Sequence, residues 1–318
     1  MPQTYCQDLP HGITTIDTGY CRPGFDASHL LVEKDQAALV DVGTAFSVPR
    51  LLQVLDAKGV AREAVRYVMV THVHLDHAGG AGSLLRNLPN ARLVVHPRGA
   101  PHMIDPAKLI AGATAVYGEE RFSALYGEIV PVAAERVITA PDNFELSLGG
   151  RPLLFLDTPG HARHHYCIYD AVSRGMFSGD TFGLSYREFD SEKGPFVFPT
   201  TTPVQFDPEA LHASIERLLS FNPARMYLTH YGCIEIVPRL ADDLHAMIDA
   251  FVGLAREVAA ANHGRHGALV AGLDGLLLDA LRAHGCGLPT ARMRELLAVD
   301  VDLNAQGLEI WLNKAADA

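Results

Sequence analysis

Short apolar runs alternate with turn residues along the first 60 positions and again through the middle of the chain. Runs of this length that are rich in β-branched residues and bounded by Gly, Asp and Pro predict β-strands. The segment FELSLGGRPLLFLD contains the pair Gly149-Gly150, which predicts a hairpin turn with positive φ. Apolar residues with helical spacing lie between the strands and again at 209–221. This alternation of strands and helices predicts an α/β layered protein.

The pattern changes near Leu240, where helical periodicity becomes continuous. Leu240, Leu244 and Phe251 fall on one helical face, and two further helical stretches follow. We therefore predict a core domain at 1–238 and a helical C-terminal extension at 239–318. An amphipathic helix must bury its apolar stripe, either on the core or on a second subunit. The sequence therefore leaves open whether the protein forms a homo-oligomer.

Composition disfavours several classes of protein. The 26 basic and 37 acidic residues give a formal net charge of −11, and no basic run is present, so no nucleic-acid partner is expected. No window approaches the length of apolar sequence that spans a membrane, so no membrane association is expected. The first residues lack the basic start and apolar stretch of a signal peptide, and the five cysteines form no CxxC pair. We therefore expect a cytoplasmic protein without a disulfide framework.

The clearest chemical signal is the run His72-x-His74-x-Asp76-His77, which directly follows the predicted buried strand at 65–70. Side chains two residues apart on an extended backbone point to the same side, so His72 and His74 face one point. The turn that follows brings Asp76 and His77 to a neighbouring point. Imidazole suits zinc, iron and similar metals, and a carboxylate adds a hard anionic ligand. One short segment can therefore serve two adjacent cations.

This run resembles the metal-binding motif of the metallo-β-lactamase superfamily, and three further pieces of that pattern follow in order. They are TPGH ending in His161, GD ending in Asp180, and LTHYG containing His230. The resemblance covers about residues 10–235. It implies an α/β fold of the four-layer αββα type with two metals at one edge, and it makes 1–238 the catalytic domain.

The resemblance also implies a set of seven metal ligands. One ion would be bound by His72, His74 and His161, the other by Asp76, His77 and His230, with Asp180 bridging them. We expect two divalent transition-metal ions, zinc first, with iron or manganese as alternatives because His and Asp accept all three. Two such ions about 3.5–4 Å apart activate a shared water as hydroxide and polarise a carbonyl. Asp76 is the candidate catalytic residue, since it could steer the hydroxide or protonate the leaving group.

This chemistry predicts hydrolysis of a thioester, ester or lactone carbonyl in a small-molecule substrate, as in glyoxalase II-like hydrolases. The C-terminal region has few basic residues, which disfavours glutathione conjugates, and Gly183 stands where lactonases of the superfamily place a tyrosine. An iron-dependent reaction like that of persulfide dioxygenases, or another redox activity at the same site, is the main alternative. A binding protein without catalysis is the second. Because both metal ligand sets are complete, a dinuclear hydrolase is favoured over both.

Several residues near the motifs are candidates for supporting roles. His164 and His165, in GHARHH, are expected to orient ligands from outside the metal shell. Tyr186 and Tyr231 are each a candidate donor to a substrate oxyanion. The segments 101–135 and 182–206 carry aromatic residues and are expected to roof the site and select the substrate.

Overall fold

The computed structural model describes residues 5–201, 204–259 and 264–316, which form two compact units. The first unit comprises the residues up to Asp157 together with 164–179 and 223–235. The second comprises 158–163, 180–222 and the chain from Ile236 onward. Among the described residues, no helix combines the length and the apolar character needed to cross a membrane.

The first unit contains a seven-stranded sheet whose strands lie in chain order. The strands are β1 (Cys6–Leu9), β2 (Ile13–Asp17), β3 (Ala27–Glu33), β4 (Gln36–Val40), β5 (Val65–Met69), β6 (Arg92–Val95) and β7 (Val137–Thr139). Strands β1 to β4 are antiparallel, and β4 to β7 are parallel. Parallel neighbours require crossover connections. These contain α1 (Val48–Ala57), α2 (Leu75–Ala78), α3 (Ala81–Leu85), α4 (Ala100–Ile104), α5 (Ala107–Tyr117) and α6 (Glu119–Tyr126).

The second sheet of this unit has six strands in the order β13-β12-β11-β10-β9-β8. They are β8 (Phe144–Leu148), β9 (Arg151–Asp157), β10 (Tyr166–Asp170), β11 (Gly175–Gly179), β12 (Arg225–Leu228) and β13 (Gly232–Ile234). All neighbours are antiparallel except β11 and β12. The hairpin between β8 and β9 turns at Gly149 and Gly150, whose φ values are 59° and 100°. The predicted turn is therefore confirmed.

Two apolar cores lie on opposite faces of the first sheet. Because side chains alternate along a strand, Leu39 of β4 packs with Leu51 of α1 in one core. Its neighbour Val40 packs with Phe155 and Phe177 of the second sheet in the other. Full burial of an apolar side chain of this size stabilises the fold by about 1.5–3 kcal/mol. The second core joins the two sheets.

In its described residues the second unit contains four α-helices, joined by irregular segments. The helices are α7 (Pro208–Leu219), α8 (Val237–Val258), α9 (Arg265–His284) and α10 (Thr290–Ala316). Helix α8 buries Leu240, Leu244, Ile248 and Phe251, the face that its periodicity predicts. Two sheets, helices and a helical C-terminal region confirm the predicted mixed α/β class. The division at residue 238 stays a prediction.

The aromatic residues of segment 182–206 lie in the core of the second unit. Phe182, Tyr186, Phe189, Phe196 and Phe198 are all buried, and the Tyr186 hydroxyl donates to Asp300 of α10 at 3.0 Å. A roof formed by these rings, and a role for Tyr186 as donor to substrate, are therefore wrong predictions. Burial of the rings against one another and satisfaction of the hydroxyl by a carboxylate stabilise this packing.

Candidate metal centre

His72 and His74 follow strand β5 in the first unit. His74 precedes α2 with an extended backbone, φ −62° and ψ 148°. As expected for an extended segment, the two imidazoles lie side by side, with His72 Nε2 and His74 Nδ1 2.8 Å apart. Two imidazole nitrogens that converge in this way can bind one cation.

A second group of donors forms where α2 approaches the end of β12. Helix α2 supplies Asp76 and His77, and His230 follows β12. One ligand atom from each of these three residues lies within 4.8 Å of the other two, and His230 Nε2 is 3.6 Å from Asp76 Oδ2. Two imidazoles and a carboxylate are a donor set suited to zinc, iron or manganese. The structure thus places five of the predicted ligands in the first unit.

The other two predicted ligands, His161 and Asp180, lie together in the second unit. His161 Nε2 is 3.4 Å from Asp180 Oδ2. Helix α7 holds the TPGH loop that carries His161: the Ser214 hydroxyl donates to the Pro159 carbonyl at 2.6 Å, and the Asp207 N–H donates to the Gly160 carbonyl at 2.8 Å. The loop is therefore fixed by α7 at two backbone carbonyls.

Asp41 orients His77, and the sequence analysis missed it. Both side chains are fully buried, and Asp41 Oδ2 accepts from His77 Nδ1 at 2.8 Å, so Nε2 is the nitrogen that could bind a metal. Asp41 also accepts from the Thr71 N–H at 2.7 Å and from the Thr229 hydroxyl at 2.6 Å. A carboxylate at the end of an apolar strand, in ALVDVG, is costly to bury unless it has such partners. An aspartate directly after an apolar strand was therefore the feature of the sequence that could have identified Asp41.

A backbone carbonyl group orients the imidazole of His230. Its Nδ1 donates to the Phe25 carbonyl at 2.8 Å, and the Phe25 ring meets the imidazole edge-on at 5.3 Å. Next in sequence, Asp26 is buried, and burial raises its pKa to about 7 against the opposing charges of His230 and His77. The Thr18 hydroxyl donates to Asp26 Oδ2, while Oδ1 has no hydrogen-bond partner among the described residues. A buried carboxylate oxygen of this kind beside His and Asp ligands fits a cationic site.

Four aromatic rings extend from His230, and we call them the aromatic wall: Phe25, Tyr20, Tyr126 and Tyr117. Neighbouring rings lie 5.8, 6.0 and 5.6 Å apart in that order. Tyr126 packs against Leu75, which lies between the motif residues His74 and Asp76. Burial and then the charge of Asp76 raise the pKa of Tyr20 and of Tyr126 well above the usual value. Both phenols therefore stay protonated, and the Tyr20 hydroxyl donates to the Tyr126 hydroxyl at 3.2 Å.

Residues 21–230 match the sequence model of a family described as the metallo-β-lactamase superfamily. Because the match covers most of the chain and coincides with this fold, the chain belongs to that superfamily. The superfamily typically binds two divalent metals, and the donor clusters described above fit that chemistry.

The metallo-β-lactamase fold-containing protein ST1585 of Sulfurisphaera tokodaii is 28% identical over 181 residues, which are 56% of this chain and 64% of that protein. Its crystal structure superposes with a TM-score of 0.65 at 21% identity, covering 95% of this chain and 99% of that one. This confirms the predicted fold.

Two further relatives have names that describe an activity. The acyl-coenzyme A thioesterase MBLAC2 of Homo sapiens is 25% identical over 193 residues, 55% of this chain and 64% of that protein. A hydroxyacylglutathione hydrolase of Methylobacillus flagellatus is 31% identical over 168 residues, 52% of this chain and 51% of that protein. The chain thus spans between half and two thirds of the length of these curated relatives.

Proposed function

We propose that this protein is a dinuclear metal-dependent hydrolase that cleaves a thioester, ester or lactone carbonyl of a small acyl substrate. The observation that carries the proposal is the pair of donor clusters in the first unit, His72 with His74 and Asp76 with His77 and His230. The superfamily motif supplies His161 and Asp180 as the remaining ligands. Bound metal would supply a water of lowered pKa and polarise the carbonyl.

The protein's own residues would position this chemistry. Asp41 and the Phe25 carbonyl hold His77 and His230 in the tautomers that direct Nε2 to a metal. Asp76 is about a quarter exposed, at 24%, so it can meet substrate as well as a metal. We propose that Asp76 orients the attacking water and transfers its proton to the leaving group.

The aromatic wall supports an acyl substrate. The wall lies beside the second ligand cluster, and its half-buried members Tyr20 and Tyr117 provide an apolar surface. Arg22 and Arg121 lie over the rings of Phe25 and Tyr117, 5.3 and 5.6 Å from the centroids. An acyl chain whose anionic group reaches Arg121, beside the outermost ring, matches this arrangement. Two relatives support the same substrate class, because the names acyl-coenzyme A thioesterase and hydroxyacylglutathione hydrolase both describe hydrolysis of a thioester.

A hydrolase panel on the metal-loaded protein tests the proposal. It contains acyl-coenzyme A and glutathione thioesters, lactones, aryl esters and phosphodiesters. We expect two metal ions per chain and cleavage of carbonyl substrates, with most activity lost in Asp180→Asn. The control His266→Ala replaces an exposed histidine in α9 and should retain full activity. Cleavage of phosphodiesters alone would contradict the substrate class. Oxygen consumption with a persulfide, without hydrolysis, would instead support the redox alternative.

A further inference from the structure

Two histidines that belong to none of the superfamily motifs meet in the second unit. His212 lies on α7 and His245 on α8. Their ring planes are nearly parallel, at 17°, with centroids 4.8 Å apart, and the rings meet edge to edge with their Nδ1 atoms 2.6 Å apart. Two nitrogen lone pairs at this separation repel each other unless a positive charge lies between them. The pair therefore needs a proton or a cation.

Each imidazole also contacts a carboxylate on the opposite helix. His212 Nε2 donates to Asp249 Oδ1 of α8 at 3.2 Å, and His245 Nε2 lies 3.1 Å from Glu216 Oε1 of α7. On each helix the histidine and the carboxylate are four residues apart and share a face. Asp249 accepts from His212 Nε2, and Glu216 lies beside His245 Nε2 and favours a proton there, so both Nδ1 atoms face the gap as acceptors when each Nε2 is protonated. A carboxylate that holds the far nitrogen of an imidazole is the usual partner of a metal-binding histidine.

The surroundings of the gap suit a metal ion. The side chains of His212 and His245 are 29% and 21% exposed, so an ion can enter from solvent and water can complete its coordination. The 2.6 Å between the two Nδ1 atoms is close to the 2.8 Å between His72 Nε2 and His74 Nδ1, and the superfamily pattern assigns that second pair to one metal. Two carboxylates next to the imidazoles offset the charge of a divalent cation.

We propose that His212 and His245 bind a third divalent transition-metal ion through their Nδ1 atoms, with Asp249 and Glu216 orienting the rings. Imidazole pairs of this kind favour zinc, nickel or copper. The ion links α7 to α8. Because α7 also holds the carbonyls of Pro159 and Gly160, the ion stabilises the helix that supports the TPGH loop.

Metal counting on the full-length protein tests this site. Zinc is titrated into metal-free protein against a chromophoric chelator, and equivalents are compared between variants. We expect His212→Ala and His245→Ala each to bind one equivalent fewer than the parent protein. The matched control is His266→Ala, since His266 contacts Asp302 and Glu309 but no second histidine. It should bind as many equivalents as the parent protein. This difference does not depend on how many ions the superfamily site binds.

Two further measurements separate binding from loss of structure. Glu216→Gln and Asp249→Asn keep both imidazoles, and we expect each to weaken the third equivalent about 10–100-fold. Copper added after as many zinc equivalents as His212→Ala can bind should show nitrogen couplings from two imidazoles in electron paramagnetic resonance, and these should be absent in His212→Ala. Equal equivalents in the parent protein and His212→Ala would overturn the proposal and leave a shared proton between the rings. Loss of the equivalent in His266→Ala as well would also overturn it, because binding would then be non-specific.

Discussion

Asp41 shows how a side chain outside the ligand set can control a metal site. It holds the His77 tautomer, and its other acceptor positions are taken by the Thr71 N–H and the Thr229 hydroxyl. An asparagine cannot accept all of these donors, because its nitrogen donates. The three donors around Asp41 therefore favour a carboxylate at this position.

We expect Asp41→Asn to weaken metal binding about 10–100-fold, because His77 loses the partner that fixes its ring. Chelator competition on purified protein measures this. Asp35→Asn is the control, since Asp35 is exposed in the turn between β3 and β4 and should leave binding unchanged. Unchanged affinity in Asp41→Asn would show that His77 does not depend on Asp41.

His29, which is not one of the predicted ligands, makes stability depend on pH. It lies between the sheets, where its Nε2 donates to the Leu228 carbonyl at 3.0 Å and Phe177 meets its ring at 5.6 Å. Burial lowers its pKa from 6.5 to about 4. The unfolded chain therefore binds a proton between about pH 6.5 and pH 4 that the folded protein does not, and stability falls as the pH is lowered through this window.

We expect this loss to reach a few kcal/mol at most, since one pKa unit corresponds to about 1.4 kcal/mol. Urea denaturation at pH 7, 5.5 and 4.5 measures it, with His29→Gln as the comparison. The glutamine variant should be less stable at pH 7 and should lose less stability on acidification. An equal slope in both proteins would exclude His29 as the cause.

At the residue level, the sequence predicts roles that depend on neighbours along the chain. The spacing of His72, His74, Asp76 and His77 is local, so these residues could be proposed as ligands without a structure. The roles of Asp41 and of the His212–His245 pair depend on partners elsewhere in the fold. Thr229 lies 188 residues from Asp41, and His245 lies 33 residues from His212. No local pattern contains such pairings.

At the level of elements, predictions succeeded where one physical requirement dominates. The Gly149-Gly150 hairpin needs positive φ, and α8 needs a buried stripe, so both were predictable. The segment 182–206 was not, because its aromatic rings lie among Gly and Pro without strand or helix periodicity. Its burial depends on contacts with α10 such as that of Tyr186 with Asp300.

Gly160 links α7 to the TPGH loop through close packing. Its φ is 130°, and a Cβ there would lie 2.4 Å from the Leu211 Cα. We expect Gly160→Ala to strain the backbone, displace His161 and lower both stability and metal binding. Gly253→Ala is the control, since Gly253 lies in α8 with open space at its Cβ, and it should raise stability by about 0.5–1 kcal/mol. Thermal unfolding and metal counting compare the two variants. Equal stability of Gly160→Ala and the parent protein would contradict the expected strain.

At the level of the whole molecule, the second unit is assembled from distant parts of the chain. It combines the loop with His161, the segment after Asp180 and the C-terminal helices. The Thr201 N–H donates to the Asn304 side chain, and Gly307 of α10 packs directly against the Thr201 carbonyl. The C-terminal helices thus support the segment that begins with a predicted ligand, although the sequence pattern suggests an extension that begins near residue 239.

A chain that ends at residue 238 tests whether the predicted catalytic domain can fold alone. Removal of α8 to α10 would expose the packed aromatic residues of segment 182–206 and leave Tyr186 and Thr201 without their partners on α10. We therefore expect the shortened chain to aggregate and to lose cooperative thermal unfolding, because apolar burial dominates folding stability. Size-exclusion chromatography and circular dichroism measure both properties. Co-expression of residues 239–318 as a separate chain should restore them, since it returns the same contacts without the covalent link. A monomeric shortened chain with a sharp unfolding transition would instead establish 1–238 as an independent domain and 239–318 as a dispensable extension.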